Sequence, residues 1–372
     1  MRLIVTTPFL ETRGGAERVV LKIAKHFDAT IRCLSYNSKN TFSEFQNINV
    51  ETAPQNFLDK LPSGNRFTTV AKAWQHFYNL KLDGYDVINA NQTPSEWIRN
   101  KNSPVLWYCH SPHREAFDLY KWRMKKQNLL AKPFFWVSVQ AFKFFELGTV
   151  SKIEHIFTNS KNTQKRVKKY LRRNSEVLYP GVDSWKFTCK DYEKFFFYPS
   201  RIAPEKDFEF AIEAFKIFSA RFKGWKFVIA GYLSERPAHQ KYFKKLRAMC
   251  NDSIIIETNI SEERMLDLYS RCYAVLYTPI DEDFGLVPLE AMASSKPCIA
   301  KSEGGPMEAI NDGKDGFLVS SIWEMAGKME WLAKHSERCE DIGRVGRMKV
   351  GREFTWARFL KRFEQKAREL AK

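Results

Sequence analysis

The chain has 372 residues and a formal net charge of +17, from 60 Lys and Arg against 43 Asp and Glu. That length suits two ordinary domains, and an apolar share of 44% excludes a disordered protein. So basic a balance calls for an anionic partner (nucleotide diphosphate, phospholipid surface or nucleic acid), and charge alone does not choose among them.

The first strand is expected at residues 3–6. It runs into Thr12-Arg-Gly14-Gly15-Ala-Glu17, a loop that opens a helix. Glycines let backbone approach a ligand, but Gly-Gly alone is a weak signal and lacks the spacing of a dinucleotide fingerprint. Further strands are expected at residues 30–35, 87–91 and 105–109. The last ends in Trp107-Tyr-Cys-His110-Ser-Pro-His113-Arg114. His110 therefore falls at the carboxyl end of a strand, where parallel sheets bind ligands, although a lone His is more often a structural hydrogen-bonder. Residues 121–145 mix Lys and Arg with Phe134, Phe135, Trp136, Phe142, Phe144 and Phe145, and residues 161–173 hold seven Lys or Arg and no acid. These stretches read equally as attachment to an anionic membrane or as solvated helices with core aromatics. Strands at 156–159 and 176–179 close the first half. Tyr179-Pro-Gly-Val-Asp183 and the polar run to Lys194 mark a break.

A second series of strands is expected at 195–199, 226–230, 253–257, 274–278, 297–300 and 316–319. Between the first two, residues 207–222 carry Phe208, Ala211, Ile212, Phe215 and Phe218 at helical spacing. Alternation of this kind favours parallel sheets with helices on both faces. Ser200-Arg201-Ile-Ala-Pro-Glu205-Lys206 follows the strand at 195–199, so two cations five residues apart can grip a diphosphate. Asp281-Glu282-Asp283-Phe284-Gly285-Leu286 forms an acidic loop after the strand at 274–278. A helix from about Leu286 then carries Glu290. Pro288 is tolerated in its first turn, and the N–H groups of Phe284, Gly285 and Leu286 would offer donors to an anion. Taken alone, the two Glu residues also fit an acidic turn capping a helix. Residues 355–370 place Trp356, Phe359, Leu360 and Phe363 at helical spacing, an amphipathic helix in need of a surface.

The run Glu282-x-Phe-Gly-Leu-x-x-Leu-Glu290-Ala-Met-Ala-x-x-x-Pro resembles the Glu-x7-Glu motif of retaining GT-B glycosyltransferases of family 4. It departs at Ser294-Ser295, where the family usually has Gly second. The resemblance implies two Rossmann-like doubly wound parallel-sheet domains facing across a cleft, with metal-independent transfer from a nucleotide-sugar. It assigns Glu282 to the donor sugar together with Asp283, Phe284, Gly285 and Leu286, and Glu290 to the nucleotide ribose. Arg201, Lys206, Gly14 and Gly15 fall to the donor diphosphate, and His110 to the sugar near the reacting carbon. His110 and Glu282 are its catalytic pair. Ser302-Glu-Gly304-Gly305-Pro also matches and is expected to lend backbone donors. The Tyr-Cys-His-Ser-Pro wording looks most like the O-antigen type mannosyltransferases, which points to mannose from GDP-mannose. Asp281-Glu-Asp283 has the outward form of an Asp-x-Asp metal site, but Glu282 belongs to the other motif and no metal or cofactor is expected.

The resulting division is an acceptor-binding domain at residues 1–182, a nucleotide-sugar domain at 183–354 and a terminal helix at 355–372 that packs back on the first. The partners implied are a nucleotide-sugar donor and a glycan or lipid-linked acceptor, with an anionic membrane surface as an open alternative and no nucleic acid. The rival readings are a non-catalytic basic protein of the same fold that binds membrane or nucleic acid, and a sugar-nucleotide epimerase. Seven scattered cysteines with no Cys-x-x-Cys pair argue against a disulfide framework or zinc site. No signal-peptide run opens the sequence and no apolar stretch approaches the ~20 residues of a bilayer span. A cytoplasmic protein is expected, soluble or peripheral on the inner face of the membrane.

Overall fold

The computed structural model describes residues 1–53 and 66–372. Its chain divides into two units, Met1–Pro180 with Phe359–Lys372, and Gly181–Arg358.

The first unit carries strands β1 (Leu3–Leu10), β2 (Thr30–Tyr36), β3 (Val50–Thr52), β4 (Val87–Asn91), β5 (Val105–Cys109), β6 (His155–Thr158) and β7 (Glu176–Val177). All pair in parallel, in the order β3-β2-β1-β4-β5-β6-β7. Every residue of β4 and β5 is buried. Such strands are covered on both faces, which is why they read as continuous apolar runs rather than as alternation. The short edge strand β3 has no counterpart in the sequence expectations, because three half-exposed residues give no periodic signal.

The second unit repeats the plan with β8 (Phe195–Pro199), β9 (Lys226–Gly231), β10 (Ile254–Thr258), β11 (Ala274–Tyr277), β12 (Cys298–Lys301) and β13 (Phe317–Val319). The order is β10-β9-β8-β11-β12-β13, again parallel throughout. The expected helix at 207–222 is present as Phe208–Arg221, and it starts late because Asp207 takes a left-handed φ of 48°. Its phenylalanines supply much of the packing. Phe196 of β8 stacks on Trp225 at 5.2 Å and meets Phe218 edge-on at the same distance.

The closing helix, Trp356–Leu370, gives its last residues to the first unit. Phe359 lies 5.3 Å from the Tyr108 ring, and Phe363 lies against Phe27 and Phe157. Arg362 grips the Glu176 carboxylate with two bonds of 2.7 and 2.9 Å.

In both sheets the strand order reverses direction about one pair, β1 and β4 in the first unit, β8 and β11 in the second. The carboxyl ends at such a reversal splay apart and leave a crevice that binds ligands.

Candidate functional site

In the second unit the two motif loops leave from the reversal pair, residues 200–207 from β8 and residues 278–286 from β11. Buried Tyr198 ties them together. Its hydroxyl donates to the Lys206 carbonyl at 2.6 Å and accepts from the Thr278 N–H at 3.0 Å. Thr278 Oγ1 donates to the Asp207 carbonyl at 2.7 Å, and the Ile280 N–H to the Glu205 carbonyl at 3.0 Å. The left-handed Asp207 then turns the short Pro204–Lys206 segment into the following helix.

This framing brings Lys206 Nζ to 2.5 Å from Glu282 Oε2, with the two side chains only 14% and 19% exposed. The residues expected to serve phosphate and sugar are thus one ion pair. The Tyr277 hydroxyl also hydrogen-bonds Glu282; burial, then that carboxylate's charge, holds the phenol far above its usual range. Arg201 lies further out and pairs with Glu205 at 2.7 Å, both about half exposed. Burial alone would raise the Glu205 carboxyl, yet Arg201 and its other neighbours hold it below the usual range. Burial, then the charge of Arg201, lowers the pKa of His239, near the start of the helix Pro237–Met249. Nothing in its sequence context marked it.

Glu290 projects from the helix Val287–Ala293, which begins one residue later than expected, and accepts a 2.8 Å hydrogen bond from buried Tyr269. Asp283 and Leu286 are partly exposed beside Gly285. Phe284 is 2% exposed, so its side chain is a packing group and only its backbone is available to a ligand. At Gly285, with φ of +82°, a Cβ would come within 2.8 Å of the Tyr277 ring. Gly304 and Gly305 press their backbone on the same loop. A Cβ on Gly305 would lie 2.2 Å from the Phe284 Cα, and the Gly305 N–H donates to the Glu282 carbonyl at 2.8 Å. That donor, expected to serve a ligand, supports Glu282 instead. Gly231 at the end of β9 has the same purpose toward Ser200, whose carbonyl leaves no room for a Cβ.

Gly14, Gly15 and His110 belong to the first unit. Gly14 precedes the helix Gly15–Phe27 where β1 ends, and its missing side chain makes room for the Glu17 carboxylate, which also accepts from Thr12 Oγ1 at 2.9 Å. His110 follows β5, with its ring edge-on to Tyr108 at 4.9 Å. Its Nε2 is buried with no hydrogen-bond partner among the described residues, and burial lowers its pKa to about 3. The imidazole is neutral, and one ring nitrogen is uncommitted. Among the described residues, no group of three or more His, Cys, Asp or Glu could hold a metal.

Cations paired with carboxylates at one sheet edge suit a sugar nucleotide, with ammonium and guanidinium for phosphate oxygens and carboxylates for hydroxyls. Two family models match the chain, "Glycosyltransferase Family 4" over residues 13–186 and "Glycosyl transferases group 1" over residues 182–349. The alpha-1,3/1,6-mannosyltransferase ALG2 of Dictyostelium discoideum is 24% identical, over 93% of each chain. Its namesake from Mus musculus is 26% identical, over 92% of this chain and 90% of its own. Among solved structures, Anabaena HepE in complex with UDP-glucose superposes over the whole of both chains with a TM-score of 0.75 at 19% identity, a likeness of fold.

Proposed function

The chain belongs to the GT-B glycosyltransferases of family 4, and on that premise we propose that it is a retaining mannosyltransferase that takes mannose from GDP-mannose. The acceptor is a hydroxyl of a glycan or lipid-linked glycan, and no metal takes part. The choice of mannose rests on the relatives, which are mannosyltransferases by name. The observation that carries the site is the Lys206–Glu282 pair at the sheet reversal, with Arg201 on the same loop as Lys206.

Breaking the anomeric bond puts negative charge on the departing diphosphate. Fixed cations lower the barrier where that charge grows, and Lys206 and Arg201 supply them without a metal. Glu282, oriented by Lys206 and Tyr277, binds donor-sugar hydroxyls together with the backbone from Asp283 to Leu286. Glu290, steadied by Tyr269, takes the ribose hydroxyls. Gly14 and Gly15 approach the diphosphate as bare backbone. His110, neutral with a bare ring nitrogen, contacts the sugar near the reacting carbon. The acceptor hydroxyl then attacks from the face the diphosphate leaves, so configuration is retained.

Thermal shift against GDP-, UDP- and ADP-sugars should show the largest stabilisation with GDP-mannose, since a ligand that binds only the folded state raises Tm. Glu290→Ala should weaken that shift, and Arg201→Ala should cut transfer at least about tenfold. Added chelator should leave the rate unchanged. Full transfer by both variants would sink the site assignment, and a clear preference for a UDP-sugar would overturn the donor.

A further inference from the structure

Residues 200–202 and 230–234 run side by side beyond β8 and β9. The Ser200 N–H donates to the Ala230 carbonyl and the Ile202 N–H to the Tyr232 carbonyl, each at 2.9 Å, so the Arg201 backbone is clamped from both sides. Two residues on, Ser234 Oγ meets His239 Nδ1 at 2.6 Å, and Gln240 Nε2 donates to the Ser234 carbonyl at 2.9 Å. His239, Tyr242 and Leu246 form one buried face of the helix Pro237–Met249. Tyr242 accepts from the Phe208 N–H at 3.2 Å and donates to Glu209, which seats that face on the segment following the Arg201 loop. His239 is thereby held beside Arg201 and Glu205.

The charged groups that bear on this imidazole are Arg201 and Glu205 from the loop after β8, and Arg236 from just before its own helix. Burial, then Arg201, lowers its pKa; Glu205 opposes them and Arg236 adds to them. The ring also lies in the first turn of its helix, where the dipole disfavours a cation. Glu205 is bound by Arg201 at 2.7 Å, with the two side chains 46% and 47% exposed, and an exposed ion pair is weakly held. A diphosphate offers Arg201 a better partner, since a guanidinium grips phosphate oxygens with two parallel bonds. Once Arg201 turns to phosphate, the charge that depresses His239 is offset, and Glu205, which raises it, has lost its cation.

We propose that the donor diphosphate draws Arg201 off Glu205, and that His239 then takes up a proton and becomes the new partner of that carboxylate. The inference rests on the donor reading above and adds to it a proton that arrives with the ligand. The proton comes from solvent, one ring nitrogen gains it, and no covalent bond to the ligand forms. Ser234 suits both states, because a hydroxyl donates to a neutral ring nitrogen and accepts from a protonated one. A group whose pKa rises in the complex favours the complex at low pH. That gain is complete below the pKa of the free protein and fades as pH rises through that of the complex. His239 is thus a positioning residue, acting through Glu205 rather than on the substrate. Release of the diphosphate returns Arg201 to Glu205 and the proton to solvent.

Titration calorimetry of the full chain with GDP-mannose, at pH 7 in Pipes and again in Tris, tests it. Neither phosphate of that sugar nucleotide titrates near neutrality, so a heat that depends on the buffer reports protons moved on the protein. Binding should take up about half a proton, the share expected of an imidazole brought back into its titration range. By linkage, Kd should rise at least about threefold from pH 6.5 to pH 8. His239→Gln, which keeps a hydrogen-bonding group for Ser234, should bind with no uptake and with a Kd that is flat over that range. Glu205→Gln should do the same, since the carboxylate that recruits the proton is gone. Melting curves show that each variant folds, and the two-buffer comparison on the parent needs no variant. A parent with no uptake would overturn the proposal and leave the donor reading intact. Uptake that persists in either variant would overturn it too. Absence of any binding heat would remove the donor reading and this inference with it.

Discussion

At the residue scale, the candidate positions could be named from the sequence and their supports could not. Arg201, Lys206, Glu282 and Glu290 stand in a dense motif at strand ends, so type and position point the same way. Tyr198, Thr278, Tyr277 and Tyr269, which orient them, look like ordinary strand and helix residues, because a hydrogen bond to a residue 80 positions away, as from Thr278 to Tyr198, or 21, as from Tyr269 to Glu290, leaves no local pattern. The same holds for a pair that the mechanism does not use. Glu96 and Glu146 are both 0% exposed and lie side by side in the first unit. Trp97 Nε1 donates to Glu146 at 2.7 Å. Burial, then the neighbouring Glu146 charge, raises the Glu96 carboxyl well above its usual range, and burial raises Glu146. A carboxyl raised in the folded state binds more protons there than in the unfolded chain. Its stabilising share is therefore complete below the unfolded pKa and is lost as pH rises through the folded one. Glu96→Gln should raise the Tm of the first unit by about 2–4 °C at pH 8, the shift expected for ~1 kcal/mol, and by less at pH 5. Melts at the two pH values check this, and an equal shift at both would dismiss the carboxyl as its source.

At the scale of elements, all twelve strands expected from the sequence are present to within a few residues, since buried parallel strands are short apolar runs bounded by turn residues. The loops were harder to read, because glycines serve two ends that look alike in sequence. One is left-handed backbone and the other is room for a neighbouring backbone. Gly305 is of the second kind, with φ of −62° but Phe284 main chain where its Cβ would be. Its loop therefore sets the position of the Glu282–Phe284 backbone. Gly305→Ala should push the two loops apart at an overpacking cost of about 1–3 kcal/mol. The Lys206–Glu282 geometry should loosen with it, and a misplacement near 1 Å can cost about 100-fold in rate. The expected outcome is a drop in kcat/KM of tenfold or more. Gly327→Ala is the control, at a helical glycine with open space around it, and should leave transfer unchanged.

At the scale of the whole molecule, the second unit is one continuous segment, whereas the first is completed only by the last fourteen residues of the chain. Phe359 and Phe363 are 1% and 0% exposed, seated on β5 and β6 through Tyr108 and Phe157. Truncating such a side chain costs about 3–5 kcal/mol, a large part of what holds a domain folded. Two units of separate composition should melt as two transitions rather than one. If the donor site lies in the second unit, GDP raises only that unit's transition, which labels it. Phe363→Ala should then lower the unlabelled transition and leave the GDP-sensitive one in place. Deleting residues 359–372 should abolish the unlabelled transition altogether, with GDP binding retained. Calorimetry with and without GDP reads both, and equal losses in the two transitions would mean that the terminal helix supports the molecule as a whole rather than the first unit.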